Sequence, residues 1–557
     1  MDHATLGWRV VSRVPALHMR CLATLLMLVV TAAAQADPGE DLLEARILTE
    51  SRQYPAAIAL FDRLLAGDPN NSDLAIERAR VLGYADRNAD SATAYAAIAA
   101  RHPERRGDIV EAWAWQALWS GDAVKSEALF AEALTTRPAA ANLQLGHAQA
   151  LLRSGRELEA IAEFDRLLAA DPASREAQVG RAYALNYAGR PRAAANQFAA
   201  VLPTTDEGIA LQAARAYYWA GFPELASPLL SGSSLSEAQW LRDYRIAREL
   251  RPYVSGSLDY SSDSDSLWIT SATLAGGWRR PAGDTIEANL RTTRLDGPDT
   301  SQPGSPRYEI DGRQLLLSWS GRLGTPSSGH GVTWPMVAVG VRDFDGWQTF
   351  AWRARLRYAV LDNLAFTAYA GNGLLDTVGA IRNRIDYTEA TGSVDYRPAP
   401  RWNVSGSLTR IGYADDNDRN QVGLRAEYLL VPRRQLRVGV DSVYFENSNP
   451  AGPEHPNLGY WNPESYFEPR VYASMSGDHG PWSFDARASV GHLDEHDGWG
   501  GKTSDVTLAA EGVAAYDFSP ELQLRFYAGG SRSGAGVGSG GEGYYRSYVG
   551  IALVGYF

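Results

Sequence analysis

The chain has 557 residues, too many for one ordinary domain. Charged residues make up 21%, the formal net charge is −12 and the mean hydropathy is −0.28, which together exclude a polytopic helical membrane protein and argue against nucleic acid as a partner. A transmembrane β-barrel stays open, because its strands are polar at every second position, and the 53 Gly, 27 Tyr and 16 Trp suit one.

The first segment reads as a secretory signal. Arg9, Arg13 and Arg20 precede an apolar run from Leu22 to Ala34, and Ala34-Gln35-Ala36 forms a small-residue cleavage site. Residues 1–36 are expected to be removed, with a retained membrane anchor as the alternative. The only cysteine, Cys21, would leave with them. The mature chain then has no disulfide, no thiolate nucleophile and no cysteine metal ligand.

Residues 37–250 are rich in Ala, Leu, Glu and Arg and carry an internal period. A small residue, an aromatic at +4, an apolar residue at +7 and Pro at +12 occur as Ala57-Phe61-Leu64-Pro69. The pattern recurs at intervals of 34 or 35 residues as Ser91-Tyr95-Ile98-Pro103, Ser126-Phe130-Ala133-Pro138 and Ala160-Phe164-Leu167-Pro172. Ala194-Phe198-Val201 is a copy without the proline, and Ala226 begins a degenerate sixth. Gly121, Gly155, Gly189 and Gly221 each precede the small position by five residues, where Arg52 and Asp86 stand in the first two copies.

This grammar resembles the tetratricopeptide repeat. The small residue lets two helices approach, the aromatic fills the gap between repeats, Gly ends the first helix and Pro stops the second. Stacked hairpins then make a superhelix with a concave groove that holds a protein partner, a polymer or merely water. Because Arg52 and Asp86 replace glycine, the first two turns are expected to differ. Ser234 to Leu250 reads as a last amphipathic helix, broken by Arg251-Pro252.

Residues 251–557 alternate in polarity over about sixteen runs separated by turn-forming clusters, the load of an antiparallel transmembrane barrel. Links after even-numbered runs are mostly short and links after odd-numbered runs include long ones, as periplasmic turns and outer loops require; the link 321–331 is longer than this rule expects. Trp278, Trp319, Trp334, Trp402 and Trp482 fall at one set of strand ends. Trp268, Trp347, Tyr413, Tyr444 and Phe467 fall at the other, suggesting two aromatic belts. The last strand ends on Phe557 and resembles the closing strand of bacterial outer-membrane barrels, which implies a barrel-assembly signal at Phe557.

Alternation also assigns faces. Arg353, Arg355 and Arg357 share one face, which must be the lumen because lipid exposure of three arginines would cost several kcal/mol. The same rule turns inward Glu287 and Arg291, Glu389 and Asp395, Arg425 and Glu427, and Arg437 and Asp441. It does so too for Glu468 and Arg470, Asp485 and Arg487, and Arg525. Such an interior is either a plug of ion pairs or a hydrated path along which a hydroxyl-rich polymer slides. The outer loops are acidic, with Asp263, Asp265, Asp296, Asp299, Asp343, Asp345, Asp415, Asp416 and Asp418. That acidity suits either plain solvation or guidance of a cationic or metal-bridged polymer.

Catalytic motifs are missing: there is no G-x-S-x-G, no H-E-x-x-H and no P-loop. Glu389 and Asp395 are six residues apart on one strand, roughly 20 Å, too far for a glycosidase pair. His492 and His496, with Asp494, Glu495 and Asp497, are read as an exposed polar loop rather than a metal site. No enzyme activity, cofactor or metal is expected.

The arrangement of signal peptide, helical repeats and C-terminal barrel resembles the outer-membrane exporters of biofilm polysaccharides, such as the poly-N-acetylglucosamine porin and the outer-membrane subunit of cellulose secretion. The resemblance implies an outer-membrane protein with periplasmic repeats and a secreted polysaccharide as cargo. It implies as partners polysaccharide biosynthesis proteins of the periplasm or inner membrane, outer-membrane lipid and the barrel assembly machinery. No substrate-defining motif is found, so no binding residue is carried over. A surface receptor of the phage-adsorption type and a structural envelope scaffold are the alternatives.

Overall fold

The computed structural model describes residues 38–280, 283–532, 540 and 543–557. The expected signal segment, Cys21 included, lies outside the described residues. The chain divides into two compact units, residues 1–155 and 156–557. The division falls inside the repeat region.

In the first unit, seven helices form antiparallel neighbours: α1 (Pro38–Glu50), α2 (Tyr54–Gly67), α3 (Ser72–Tyr84), α4 (Asn88–Arg101), α5 (Arg106–Trp119), α6 (Ala123–Thr136) and α7 (Ala141–Arg153). The small and aromatic positions of the period are internal. Ala57, Phe61, Ser91, Tyr95, Ser126 and Phe130 are all buried. Serine suits the small position because its hydroxyl reaches back to the preceding helix: Ser91 donates to the Ala79 carbonyl at 2.6 Å and Ser126 to that of Ala114 at 2.9 Å. A Cβ on Gly146 would overlap the Phe130 ring, so glycine there admits the aromatic knob. Pro69, Pro103 and Pro138 follow the ends of α2, α4 and α6, where a missing N–H costs nothing. The turns at Arg52 and Asp86 do not differ from the later ones. Both residues adopt φ of 59° and 58°, the left-handed region that Gly121 (93°) and Gly155 (80°) also occupy.

The second unit begins with α8 (Glu157–Ala170), α9 (Arg175–Tyr187), α10 (Pro191–Ala199), α11 (Glu207–Trp219) and α12 (Pro223–Ala226). α13 (Ser236–Trp240) then runs through a π-helical turn into α14 (Ala247–Leu250). Ala160, Phe164, Ala194 and Phe198 repeat the buried pattern, and Pro172 follows α8. Residues 231–235 are tied to α11 by Glu207, which accepts from the Ser234 backbone at 2.8 Å and from the Leu235 backbone at 3.2 Å. Hydrogen bonds from Ser233 and Ser234 hold this carboxyl below the usual range.

Sixteen strands follow: β1 (Tyr253–Asp263), β2 (Trp268–Arg279), β3 (Thr285–Pro298), β4 (Arg307–Ser320), β5 (Val332–Phe344), β6 (Trp347–Leu361), β7 (Leu364–Leu374), β8 (Asp386–Tyr396), β9 (Trp402–Tyr413), β10 (Asp418–Val431), β11 (Leu436–Asn447), β12 (Ser465–His479), β13 (Trp482–His496), β14 (Lys502–Ser519), β15 (Leu522–Arg532) and β16 (Arg546–Tyr556). Each pairs antiparallel with its neighbours and β16 pairs with β1, so the sheet closes into a barrel without an edge. The seam runs from Tyr253 opposite Tyr556 to Asp263 opposite Arg546, and the Phe557 amide donates to the Pro252 carbonyl at 2.9 Å. One end of the barrel carries links such as 362–363, 480–481 and 520–521, here called the turn end. The other carries 299–306, 375–385 and 448–464, the loop end.

The outer face is apolar. Leu258, Leu274, Leu290, Val339, Phe350, Leu408, Leu424, Val471, Val490 and Leu553 are all exposed at alternate positions. A continuous apolar exterior of this kind is a lipid-facing belt. Trp278, Trp319, Trp402 and Trp482 lie on that face at the turn end, and Trp268, Tyr444 and Phe467 lie on it at the loop end. Trp334, Trp347 and Tyr413 do not. Trp334 packs with Ala220, Phe222 and Val332, Trp347 packs with Val378 and Ile381, and Tyr413 is buried with Ile385 and Tyr460. These three aromatics serve contacts inside the protein instead of the belts.

Candidate functional site

The strand pleat sends the residues alternating with this apolar set into the barrel. The inner face thus receives Glu287 and Arg291 from β3, the ladder Arg353, Arg355 and Arg357 from β6, and Glu389 and Asp395 from β8. It also receives Arg425 and Glu427 from β10, Arg437 and Asp441 from β11, Glu468 and Arg470 from β12, Asp485 and Arg487 from β13, and Arg525 from β15.

These charges are not evenly paired. Asp441, nearly buried, gathers three arginines: Arg470 at 2.7 Å, Arg425 at 3.7 Å, and Arg487. Glu427 is ion-paired with Arg437 at 3.3 Å and accepts from the Tyr472 hydroxyl at 2.9 Å, and Arg470 lies 3.8 Å from the buried Glu468. This knot braces the β10–β13 wall, where each cation compensates a desolvated carboxylate. The β3–β6 wall differs. Arg291 donates to the Ser271 hydroxyl at 2.9 Å, and Arg357 lies over the Trp334 ring at 5.9 Å. Among the described residues, none of Arg353, Arg355 and Arg357 is ion-paired. Glu287 instead accepts the Tyr253 hydroxyl, and Arg525 donates to Gln523 at 2.6 Å.

A second pattern escapes the sequence reading. Inward aromatics stand opposite glycines on the next strand: Tyr253 and Gly277, Phe344 and Gly312, Tyr387 and Gly373, Tyr472 and Gly439, Tyr527 and Gly550, Tyr548 and Gly529. At each of these glycines a Cβ would run into the partner ring. The missing side chain therefore lets the ring lie down along the wall instead of projecting across the lumen. The signal that finds these pairs is register, since the partners lie far apart in sequence.

The loop end is covered from within. The link 375–385 forms a short helix, α15 (Val378–Arg382), whose Val378 and Ile381 are buried against Ile269, Leu295 and Ile310 on the inner wall. The link 448–464 crosses to meet it. Thr377 donates to the Gly459 carbonyl at 2.5 Å, Asn383 to that of Leu458 at 3.1 Å, and Asn457 to that of Thr300 at 3.3 Å. Gly379 and Gly459 approach so closely that a Cβ on either would strike the other's backbone. β11–β12 and β3–β4 are half the ring apart, so this lid spans the mouth. Its base is Arg419, fully buried, 4.1 Å from the Phe445 ring and bonded to Asn447 at 3.1 Å and the Trp461 carbonyl at 3.0 Å.

Two of the acidic loop residues, Asp299 and Asp415, bond side chains of the lid, and others pair along the rim. Asp299 is buried and receives Arg382 at 3.1 Å, and Asp296 and Asp418 pair with Arg307 and Arg410, both at 2.9 Å. The Tyr460 hydroxyl donates to Asp415 at 2.8 Å, and burial pushes its pKa up. His492 and Asp494 both bond Ser504, and among the described residues no group of three potential metal ligands occurs.

The turn end is met by the helices of the same unit. Asp362, in the β6–β7 turn, accepts from the backbone amides of Arg192 and Ala193, each at 3.0 Å, and so caps α10. Arg322 binds Glu224 and the Gly221 carbonyl, and Arg397 reaches the Gly189 carbonyl at 3.3 Å. Across the ring, Arg248 takes Asp517 at 2.7 Å and the Ser519 carbonyl at 2.8 Å, and Arg251 pairs with Glu521 at 3.1 Å. Residues 189–251 thus lie across this mouth, which is why the compact unit begins before the barrel does.

No family model matches the chain, and no curated protein matches it. Among solved structures, a bacterial polysaccharide outer membrane secretin is similar over 56% of this chain and 99% of that one, at 14% identity and a TM-score of 0.41. PilW, described as a widely conserved type IV pilus biogenesis factor, is similar over 37% and 99%, at 20% identity and 0.32. OccAB4 of Acinetobacter baumannii is similar over 56% and 100%, at 11% identity and 0.30. Likeness at this level carries no inference about function.

Proposed function

We propose that the protein is an outer-membrane conduit for a secreted exopolysaccharide, in a closed state, with its repeats in the periplasm. The observation that carries this reading is the barrel interior: aromatic rings laid flat over glycines, interleaved with charged side chains. A saccharide presents apolar C–H faces that stack on such rings and hydroxyls that exchange hydrogen bonds with charged groups and water. No covalent step is assigned to the chain. Export is passive, and the repeats guide the polymer or recruit the biosynthetic proteins that push it. The lid across the loop end favours, as a second reading, a surface receptor or envelope scaffold.

The test is genetic. Cells lacking the protein are expected to retain polysaccharide in the periplasm and lose it from the surface. Chains carrying Tyr253→Ala, Tyr472→Ala and Tyr527→Ala together are expected to assemble but restore surface polymer poorly. Full surface polysaccharide without the protein contradicts the proposal and leaves the receptor and scaffold readings.

A further inference from the structure

Beneath the lid lies a cavity of about 630 Å³ between the inner wall and the lid residues Leu375, Asp376 and Ile381. That volume is within the range of about 300–1,000 Å³ typical of small-molecule sites. Arg342 and Arg353 stand in its wall on the paired strands β5 and β6. Arg342 Nε donates to Gln314 at 3.2 Å and Nη2 to the Asn372 carbonyl at 2.8 Å. Its Nη1 is buried with no hydrogen-bond partner among the described residues, an arrangement that costs free energy unless water or a ligand completes it. Arg353 is ion-paired with no described carboxylate.

The carboxylates of the same cavity are otherwise engaged. Glu389 lies beside the Tyr369 hydroxyl and Asp259 receives Ser257 at 3.4 Å. Asp376 binds Arg546 at 2.8 Å from the lid, across the ring from its own strands. The cavity therefore already recognises one carboxylate, its own lid's, and keeps further guanidinium capacity unused. Tyr387, lying over Gly373, supplies a stacking face beside it.

We propose that this cavity binds an acidic saccharide, with the sugar carboxylate on Arg342 and Arg353 and a ring face against Tyr387. Guanidinium suits this role because its planar donors match a carboxylate. The inference rests on the export reading and narrows its cargo to a uronate-type polymer. Asp376 then acts as an internal competitor that occupies Arg546 when cargo is absent.

The test is calorimetric titration of the full-length protein in detergent micelles with trigalacturonate, its methyl-esterified form and inorganic sulfate. Trigalacturonate is expected to bind at least about tenfold tighter than the uncharged ester. Arg342→Gln and Arg353→Gln are each expected to remove that advantage while leaving the ester unchanged, and Asp376→Asn is expected to tighten trigalacturonate. Heat-modifiable gel mobility identifies any variant that fails to fold. Equal binding of acid and ester overturns the acidic preference and leaves the export reading standing. Sulfate binding as tightly as trigalacturonate overturns the saccharide assignment, and binding of none of the three overturns the site. Only the surface polysaccharide of cells lacking the protein bears on the export reading itself.

Discussion

Arg52 and Asp86 hold backbone angles that glycine holds in the later repeats. A non-glycine residue in the left-handed region costs about 1 kcal/mol. Arg52→Gly and Asp86→Gly are each expected to stabilise the first unit by up to about that amount, read as a shift in the urea midpoint of the helical circular dichroism signal. A downward shift at both positions would mean that their side chains contribute more than the backbone loses. The Tyr–Gly pairs make an opposite prediction. Gly550→Ala places a methyl where the Tyr527 ring lies, so the ring must lift into the lumen. The cost is about 1–3 kcal/mol of overpacking, seen as a lower unfolding temperature. An unchanged unfolding temperature would show that the ring is not held against the wall. Neither the glycine role nor the ring orientation is legible from one strand, because each needs the partner strand's register. Face assignment by alternation needs only the strand itself. It correctly anticipates an apolar exterior, yet Trp334, Trp347 and Tyr413 show that an aromatic at a strand end is equally useful against a helix or a lid.

Among the elements, α10 is joined to the barrel by a cap that it does not itself provide. Arg190 precedes it and makes no side-chain cap; Asp362 accepts the first amides instead. Asp362→Ala is expected to cost about 1 kcal/mol and to speed amide exchange at the start of α10. Unaltered exchange there would sink the idea that the turn anchors the helix. The tether at Glu207 has a pH dependence. Its folded pKa is depressed, so its stabilisation is present above the ordinary value of 4.5 and is lost as pH falls through the folded value. Protection of the Ser234 and Leu235 amides, taken relative to the intrinsic exchange rate at each pH, is therefore expected to fall on acidification below 4.5, and Glu207→Gln is expected to flatten that response. The helix-repeat period, its small and aromatic positions and the sixteen strands are legible in the sequence because each rests on local periodicity. The cap, the lid and the docking of residues 189–251 are not, because they join loops to distant elements through single side chains.

At the scale of the molecule, closure of the barrel depends on its last strand. β16 pairs with both β15 and β1, and Phe557 ends it, exposed, at the turn end. Removal of Phe557 is expected to lower the amount of heat-modifiable barrel in the membrane while the helical repeats remain protease-resistant; normal barrel yield would show that the terminal ring is dispensable. Once closed, the barrel is blocked unequally. The helices meet the turn end at its rim, whereas α15 and the link 448–464 enter the interior and pack on the inner wall. The lid is therefore the seal. Ion current through single proteins in planar bilayers measures this seal, comparing the full chain with a variant in which residues 375–385 and 448–464 are replaced by short Gly–Ser turns. The expected result is a nearly silent full chain and a steady, large conductance from the lidless one. A lidless protein that folds, inserts and stays as silent as the parent would contradict a conduit closed by its lid.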